Sequence, residues 1–157
     1  MERYPLLVKY RQLVAGAGFI SHIEIMGRVL ATKEPAGYWL DSVNPGQVSA
    51  GGVTLGEAYA ALRQEITTTL IDLAFEADGF KSFEAAIHRF FSDTDSETEA
   101  EWCQALLALR SGHGPATELG LPRLSGEDPR GVRVLELNSS EFSAELNAVD
   151  KEPALAA

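Results

Sequence analysis

A chain of 157 residues with 45% hydrophobic and 23% charged residues has the size and balance of a globular protein with a buried core. Its formal net charge of −10 is uneven, because residues 1–53 carry a net charge of +1 and residues 54–157 a net charge of −11. An acidic surface repels phosphate backbones, so the charge disfavours direct DNA or RNA binding and favours a basic protein partner. An acidic solvated surface without a partner is the alternative.

The cysteine content and the N-terminal residues indicate the compartment. Cys103 is the single cysteine, so the chain forms no internal disulfide, and we expect this thiol to be buried and inert on the apolar side of a helix. Residues 1–5 open no apolar signal-peptide core, and no apolar run reaches the roughly 18–20 residues that span a bilayer. We therefore expect a cytoplasmic protein that makes no membrane contact.

Three apolar segments in the first part of the chain predict strands, at residues 6–10, 19–31 and 38–43. Their connections are short, which predicts antiparallel pairing because parallel strands need long crossovers. The first connection, residues 15–18, lacks the GxGxxG spacing of a phosphate-binding loop. A turn at Pro45 and Gly46 leads into a further short strand, which ends at a Gly51-Gly52 break.

A long helix is predicted after Thr54. Thr54 and Glu57 have the spacing of a capping box, in which each side chain binds the other residue's backbone N–H. Apolar residues then recur at helical spacing and form one stripe: Leu55, Ala58, Tyr59, Leu62, Ile66, Leu70 and Leu73. We expect this stripe to cover one face of the sheet, which gives an α+β fold.

The second half of the chain predicts further helices and a loop region. One short helix carries Phe80 to Phe91, and a second begins at a capping box formed by Ser96 and Glu99 and ends before Ser111. Residues 111–131 are rich in Gly and Pro, which indicates a linker, residues 132–137 predict a strand, and residues 138–149 predict a short helix. The predicted organisation is therefore a sheet-and-helix domain at 1–77, an acidic helical extension at 78–112 and a C-terminal segment at 113–157.

Two groups of residues are candidates for partner binding. Tyr38 and Trp39 are adjacent in a strand, so they point to opposite faces, and one of them should remain on the face that the first helix leaves open. Five acids follow the second helix and offer a docking surface for Lys or Arg of a partner: Asp93, Asp95, Glu97, Glu99 and Glu101. Favourable placement near a helix N-terminus is the alternative explanation for these acids.

Four phenylalanines, Phe80, Phe83, Phe90 and Phe91, exceed what one buried stripe needs. Packing in the core is the first interpretation, and an oligomer interface is the second. We predict a homo-oligomer, most simply a dimer, that uses either these phenylalanines or a sheet edge.

Motifs for catalysis or cofactor binding are absent from the sequence. The three histidines share no ligand spacing with one another or with Cys103, and no serine lies in a nucleophile-elbow motif. We therefore predict no catalytic residue, no bound metal and no cofactor.

Gly37-Tyr38-Trp39, the turn Pro45-Gly46-x-x-Ser49-x-Gly51, and Thr54-x-x-Glu57-Ala58 together resemble the HicB-like antitoxin domain over residues 20–77. The resemblance implies a small sheet of three antiparallel strands with a helix packed on it, in a reduced RNase H-like arrangement without nuclease activity. It also implies a non-enzymatic protein that neutralises a small, basic, RNA-cleaving toxin. The C-terminal segment is not basic, so a DNA-binding module is not expected there.

Two other functions remain open from the sequence. The first is an acidic inhibitor of the mobile-element type, which would block the nucleic-acid-binding groove of a larger complex. The second is a divalent-metal hydrolase that would use acids among residues 93–101.

Overall fold

The computed structural model describes residues 2–112, 123–124, 131–137 and 154–156. These residues form an α+β fold, which confirms the predicted fold class. The strands are β1 (Glu2–Gly16), β2 (Phe19–Glu34), β3 (Gly37–Ser42), β4 (Ser49–Gly52), β5 (Arg123–Leu124), β6 (Gly131–Glu136) and β7 (Ala154–Ala156). The helices are α1 (Leu55–Glu76), α2 (Phe80–Ser92) and α3 (Ser96–Arg110).

Strands β1 and β2 form a hairpin much longer than the sequence predicts. They pair continuously from Glu2 opposite Lys33 to Gly16 opposite Phe19, joined by a turn at residues 17–18. The predicted first strand ends at residue 10, and the polar residues Arg11 and Gln12 follow it. Arg11 points away from the main core, and Gln12, on the same face as Tyr10 and Val14, is only half-buried, so the strand accommodates both polar residues.

The sheet has the order β4-β3-β2-β1-β7-β5, and β6 pairs with β2. One edge of β2 pairs with β1, while its other edge is shared, with β3 on residues 29–34 and β6 on residues 21–26. The strand predicted at 132–137 is therefore confirmed as β6. Among the described strands, only β5 and β7 pair in parallel.

Helix α1 crosses one face of the sheet, as predicted. Its N-terminus carries the capping box of Thr54 and Glu57 that the sequence indicated. Its buried residues are Ala58, Leu62, Ile66, Leu70 and Ala74. They pack against the apolar side chains of β1, β2 and β3. Helix α2 joins the same core through Phe83 and Ile87.

Helix α3 lies on the opposite face of the sheet. Trp102 of α3 packs with Leu7, Leu30 and Val43. Leu7 and Leu30 each directly follow a strand residue that points into the main core, so their own side chains point to the other face of the sheet. Part of the face that α1 leaves open is thus covered by the acidic extension.

Some predictions fall outside these findings. The helix predicted at residues 138–149 lies outside the described residues. The division into segments at residues 77 and 112 stays a prediction, although β6 of the third segment belongs to the same sheet as β2. In the described part of the chain, no helix combines the length and the apolar character needed to cross a membrane.

Candidate protein-binding site

A buried arginine joins the sheet to the helical extension. Arg28 lies on the α3 face of β2, and its side chain is 4% exposed. The next chain segment passes very close, because a Cβ atom at position 27 would overlap the carbonyl oxygen of Asn44. Gly27 therefore permits the approach of Asn44, whose Oδ1 accepts a hydrogen bond of 2.7 Å from Arg28 Nε.

Asn44 also forms hydrogen bonds with residues at the end of α2 and between α2 and α3. Its side-chain amide donates to the carbonyl oxygen of Phe91 at 3.2 Å and to Thr94 Oγ1 at 3.0 Å. A Cβ atom at Gly46 would overlap the carbonyl oxygen of Asp93, so the turn and this segment are in close contact. The turn that the sequence singled out is thus held against the start of the acidic extension.

Helix α3 completes the cluster. Arg28 donates from Nη2 to Glu99 Oε1 at 2.7 Å, and its guanidinium lies 5.2 Å from the centroid of the Trp102 ring. Trp102 in turn donates from Nε1 to the carbonyl oxygen of Leu6 at 3.3 Å. These contacts satisfy a buried cation, so we assign the cluster a structural role.

Three of the five predicted docking acids are engaged within the chain. Asp95, not Ser96, is the N-cap of α3, and its carboxylate accepts from the Thr98 backbone at 2.9 Å. The predicted Ser96 capping box is therefore wrong, because Glu99, which it required, contacts Arg28 instead. Glu101 lies 3.4 Å from Arg3 Nη2.

Hydrogen bonds from the backbone N–H of Thr98, and then from its hydroxyl, lower the pKa of the Asp95 carboxyl. Asp93 and Glu97 are exposed, and the described part of the chain supplies neither with an ion pair. Of the predicted acids, these two are the most available to a partner.

Tyr38 and Trp39 occupy opposite faces, as predicted. Tyr38 packs against the main core, whereas Trp39 is 44% exposed. Trp39 Nε1 donates to Asp41 Oδ1 at 3.0 Å, and the same oxygen accepts from Ser49 Oγ at 2.6 Å. These two hydrogen bonds hold the exposed indole in place, so it is pre-organised for contact.

The phenylalanines contribute mainly to this chain's own core. Phe83 is fully buried, with its ring centroid 5.1 Å from that of Phe19. Phe80, Phe90 and Phe91 are partly buried and pack against the same core. An oligomer interface at the three partly buried rings stays a prediction, whereas Phe83 offers no surface to another chain.

The thiol of Cys103 is exposed, which contradicts its predicted burial. Trp102 and Leu109 form the buried face of α3. Cys103 is the position next to Trp102, so its side chain points away from that face. Among the described residues, no group of three His, Cys, Asp or Glu side chains is placed to hold a metal ion.

The outer face of α1 carries a surface that the sequence analysis missed, which we call the α1 outer patch: Glu65, Ile71, Asp72, Phe75 and Glu76. Ile71 and Phe75 are 54% and 90% exposed and lie one turn apart. The three acids are exposed, and none forms an ion pair with the described residues. The available signal was that Ile71 and Phe75 fall outside the apolar stripe that packs on the sheet.

Comparison with known proteins identifies no relative for this chain. No family model matches it, and neither a curated protein nor a solved structure matches.

Proposed function

We propose that this protein is a non-enzymatic binding module that masks a basic protein partner, in the manner of an antitoxin that neutralises a small, basic, RNA-cleaving toxin. The observation that carries the proposal is the α1 outer patch. It combines large exposed apolar side chains with carboxylates that no cation of the described chain neutralises.

The chemistry of the patch suits a basic partner. Phe75 and Ile71 can be desolvated against apolar side chains, and interfaces of this kind gain most of their affinity from such central anchors. Glu65, Asp72 and Glu76 lie along the helix beside them, where they would attract Lys and Arg and accelerate association.

The order of the elements also supports the proposal. Strands β2, β3 and β4 pair antiparallel in succession, and α1 follows and crosses the sheet. This is the arrangement that the HicB-like resemblance implies for residues 20–77.

The acids of the α2–α3 region have a smaller part in this proposal than the sequence indicated. Asp93 and Glu97 can add to the attraction of a basic partner, together with Trp39 on the sheet. Asp95, Glu99 and Glu101 already bind groups of the same chain, so recruiting them would break internal contacts.

The test has two stages. The protein is first used to isolate partners from its native host at low and high salt, and the captured protein is identified and purified. Calorimetry then measures the affinity of the captured protein for the wild type and for the Phe75→Ala and Asp72→Lys variants. Glu34→Lys, at an exposed position at the end of β2, makes the same charge change away from the patch.

We expect Phe75→Ala and Asp72→Lys each to weaken binding about 10-fold or more, and Glu34→Lys to have little effect. Equal binding by all variants, or a captured partner that is not basic, would overturn the proposal. Capture of a large nucleic-acid-binding complex only at low salt would instead favour the groove-blocking inhibitor.

A further inference from the structure

Strand β4 lies at one end of the strand order, and its outer edge has no partner strand among the described residues. Ser49 and Gly51 of this strand are exposed, whereas Ala50 is buried on the core face. An unpaired edge presents backbone N–H and C=O groups that can pair with another chain.

The register identifies which backbone groups point outward. The Ser42 N–H donates to the Val48 carbonyl at 2.8 Å, so these two residues form a hydrogen-bonded pair. Such pairs alternate along an antiparallel ladder, and Leu40 lies opposite Ala50. Ala50 and Gly52 therefore direct their backbone groups toward β3, while Ser49 and Gly51 direct theirs outward.

Apart from its short length, this edge lacks the features that prevent strands from pairing between molecules. The four residues of β4 include no Lys, no Pro and no charged side chain. Two carboxylates lie beside it: Asp41 accepts from Ser49 and Trp39, and Glu57 accepts from the backbone N–H groups of Val53 and Thr54. The residues of β4 themselves therefore add no charge to the edge, although the whole chain has a net charge of −10.

We propose that two copies of this chain pair through their β4 edges, antiparallel about a two-fold axis that passes beside Ala50. Ser49 then lies opposite Gly51 of the second copy, and Gly51 opposite its Ser49. Both are hydrogen-bonded pairs, so all outward groups of these residues are satisfied by four backbone hydrogen bonds.

Side chains along the edge fit this register. The two Ala50 residues face each other at the position where side chains approach most closely, and a methyl group is small enough for that position. On the other face, the Trp39 ring lies over Gly51, since a Cβ atom there would come within 2.7 Å of Trp39 Cε3. Because Gly51 pairs with Ser49 of the second copy, the two indoles flank the new pairs and shield them from water.

The oligomeric state tests the proposal. Light scattering coupled to size-exclusion chromatography over a wide concentration range should show the wild type at twice the monomer mass at high concentration. Ser49→Lys places a long charged side chain on the Trp39 face directly beside both new pairs, and should shift the protein to the monomer mass. Ala36→Lys introduces the same charge in the β2–β3 turn and should dimerise like the wild type.

Amide hydrogen exchange provides a second readout that depends on the register. The Ser49 and Gly51 amides should exchange at least several-fold more slowly at dimer concentrations than at monomer concentrations. The Ala50 and Gly52 amides, which bond to β3, should be protected at both.

Monomer mass at all concentrations would overturn the proposal, as would a dimer that survives Ser49→Lys. Protection of Ser49 and Gly51 in the monomer would also overturn it. A dimer lost in Phe90→Ser but kept in Ser49→Lys would assign the interface to α2 instead.

Discussion

Removing the Glu99 carboxylate should destabilise this protein far more than removing that of Glu101, two residues away on the same helix. Glu99 Oε1 lies 2.7 Å from the buried Arg28, whose side chain is 4% exposed. Glu101 lies 3.4 Å from Arg3, and both side chains of that pair are more than 30% exposed. Glu99→Ala leaves a buried cation without its counter-charge, whereas Glu101→Ala leaves Arg3 in water.

The magnitudes follow from the two environments. A hydrogen bond to a charged group contributes about 1.5–3 kcal/mol, and an exposed ion pair about 0–1 kcal/mol. The Glu99 side chain is 39% exposed, so water can partly replace it. We therefore expect Glu99→Ala to lower the free energy of unfolding by about 2 kcal/mol, and Glu101→Ala by less than about 1 kcal/mol.

Urea unfolding followed by circular dichroism and tryptophan fluorescence measures both losses. For a chain of this length, about 2 kcal/mol corresponds to about 4–8 °C in Tm. Both variants replace Glu by Ala within α3, so helix propensity changes alike in the two and cancels in the comparison. Equal losses would refute the assignment of Arg28 as a buried cation that depends on Glu99.

A double-mutant cycle isolates the pair itself. With Arg28→Met as the second substitution, the coupling energy between positions 28 and 99 should be about 0.5–3 kcal/mol. A coupling energy near zero would show that Glu99→Ala acts through another contact.

Two further predictions concern the helix N-termini. Thr54→Ala should lower the free energy of unfolding by about 1 kcal/mol, whereas Thr54→Ser keeps the hydroxyl that accepts from Glu57 N–H and should lose little; equal losses in thermal or urea unfolding would contradict the capping role. Because hydrogen bonds from Thr98 lower the folded-state pKa of Asp95 below 3.8, its carboxylate stabilises the fold above that pH, and the contribution is lost as pH falls through the folded-state pKa. Unfolding free energies measured from neutral to acid pH should therefore fall more steeply for the wild type than for Asp95→Asn, and parallel curves would contradict this.

The short-range features of the fold are readable in the sequence because both partners of each interaction lie within a few residues. The α1 capping box joins Thr54 to Glu57, three positions apart, and local spacing is sufficient to identify it. The opposite directions of Tyr38 and Trp39 likewise follow from the two-residue repeat of a strand.

The ends of the strands were less predictable where pairing with a neighbouring strand extends a strand beyond its apolar residues. The β1–β2 hairpin extends through Arg11 and Gln12 because both lie within the continuous antiparallel ladder with β2, opposite Glu24 and Ile23. A composition-based boundary ignores that partner, so the predicted strand ended too early.

The fate of the acids shows what sequence could not provide. Asp95 and Ser96 are both good N-cap residues, and Asp95 occupies the position while Glu99 binds Arg28, 71 residues earlier in the chain. Acid content was evident from the sequence, but the engagement of Glu99 and Glu101 depended on Arg28 and Arg3, two cations that distant strands bring close.

By itself, the sequence determined the fold class, the α1 helix with its cap, and the acidic character of the helical half, because these depend on local spacing and composition. Only the tertiary structure decided that Arg28 holds α3 to the sheet, that β6 pairs with β2, that Cys103 and Phe75 face solvent, and that β4 lies at an open edge of the described sheet. Each of these depends on which surfaces pack together across long stretches of chain, and local pattern does not encode those pairings.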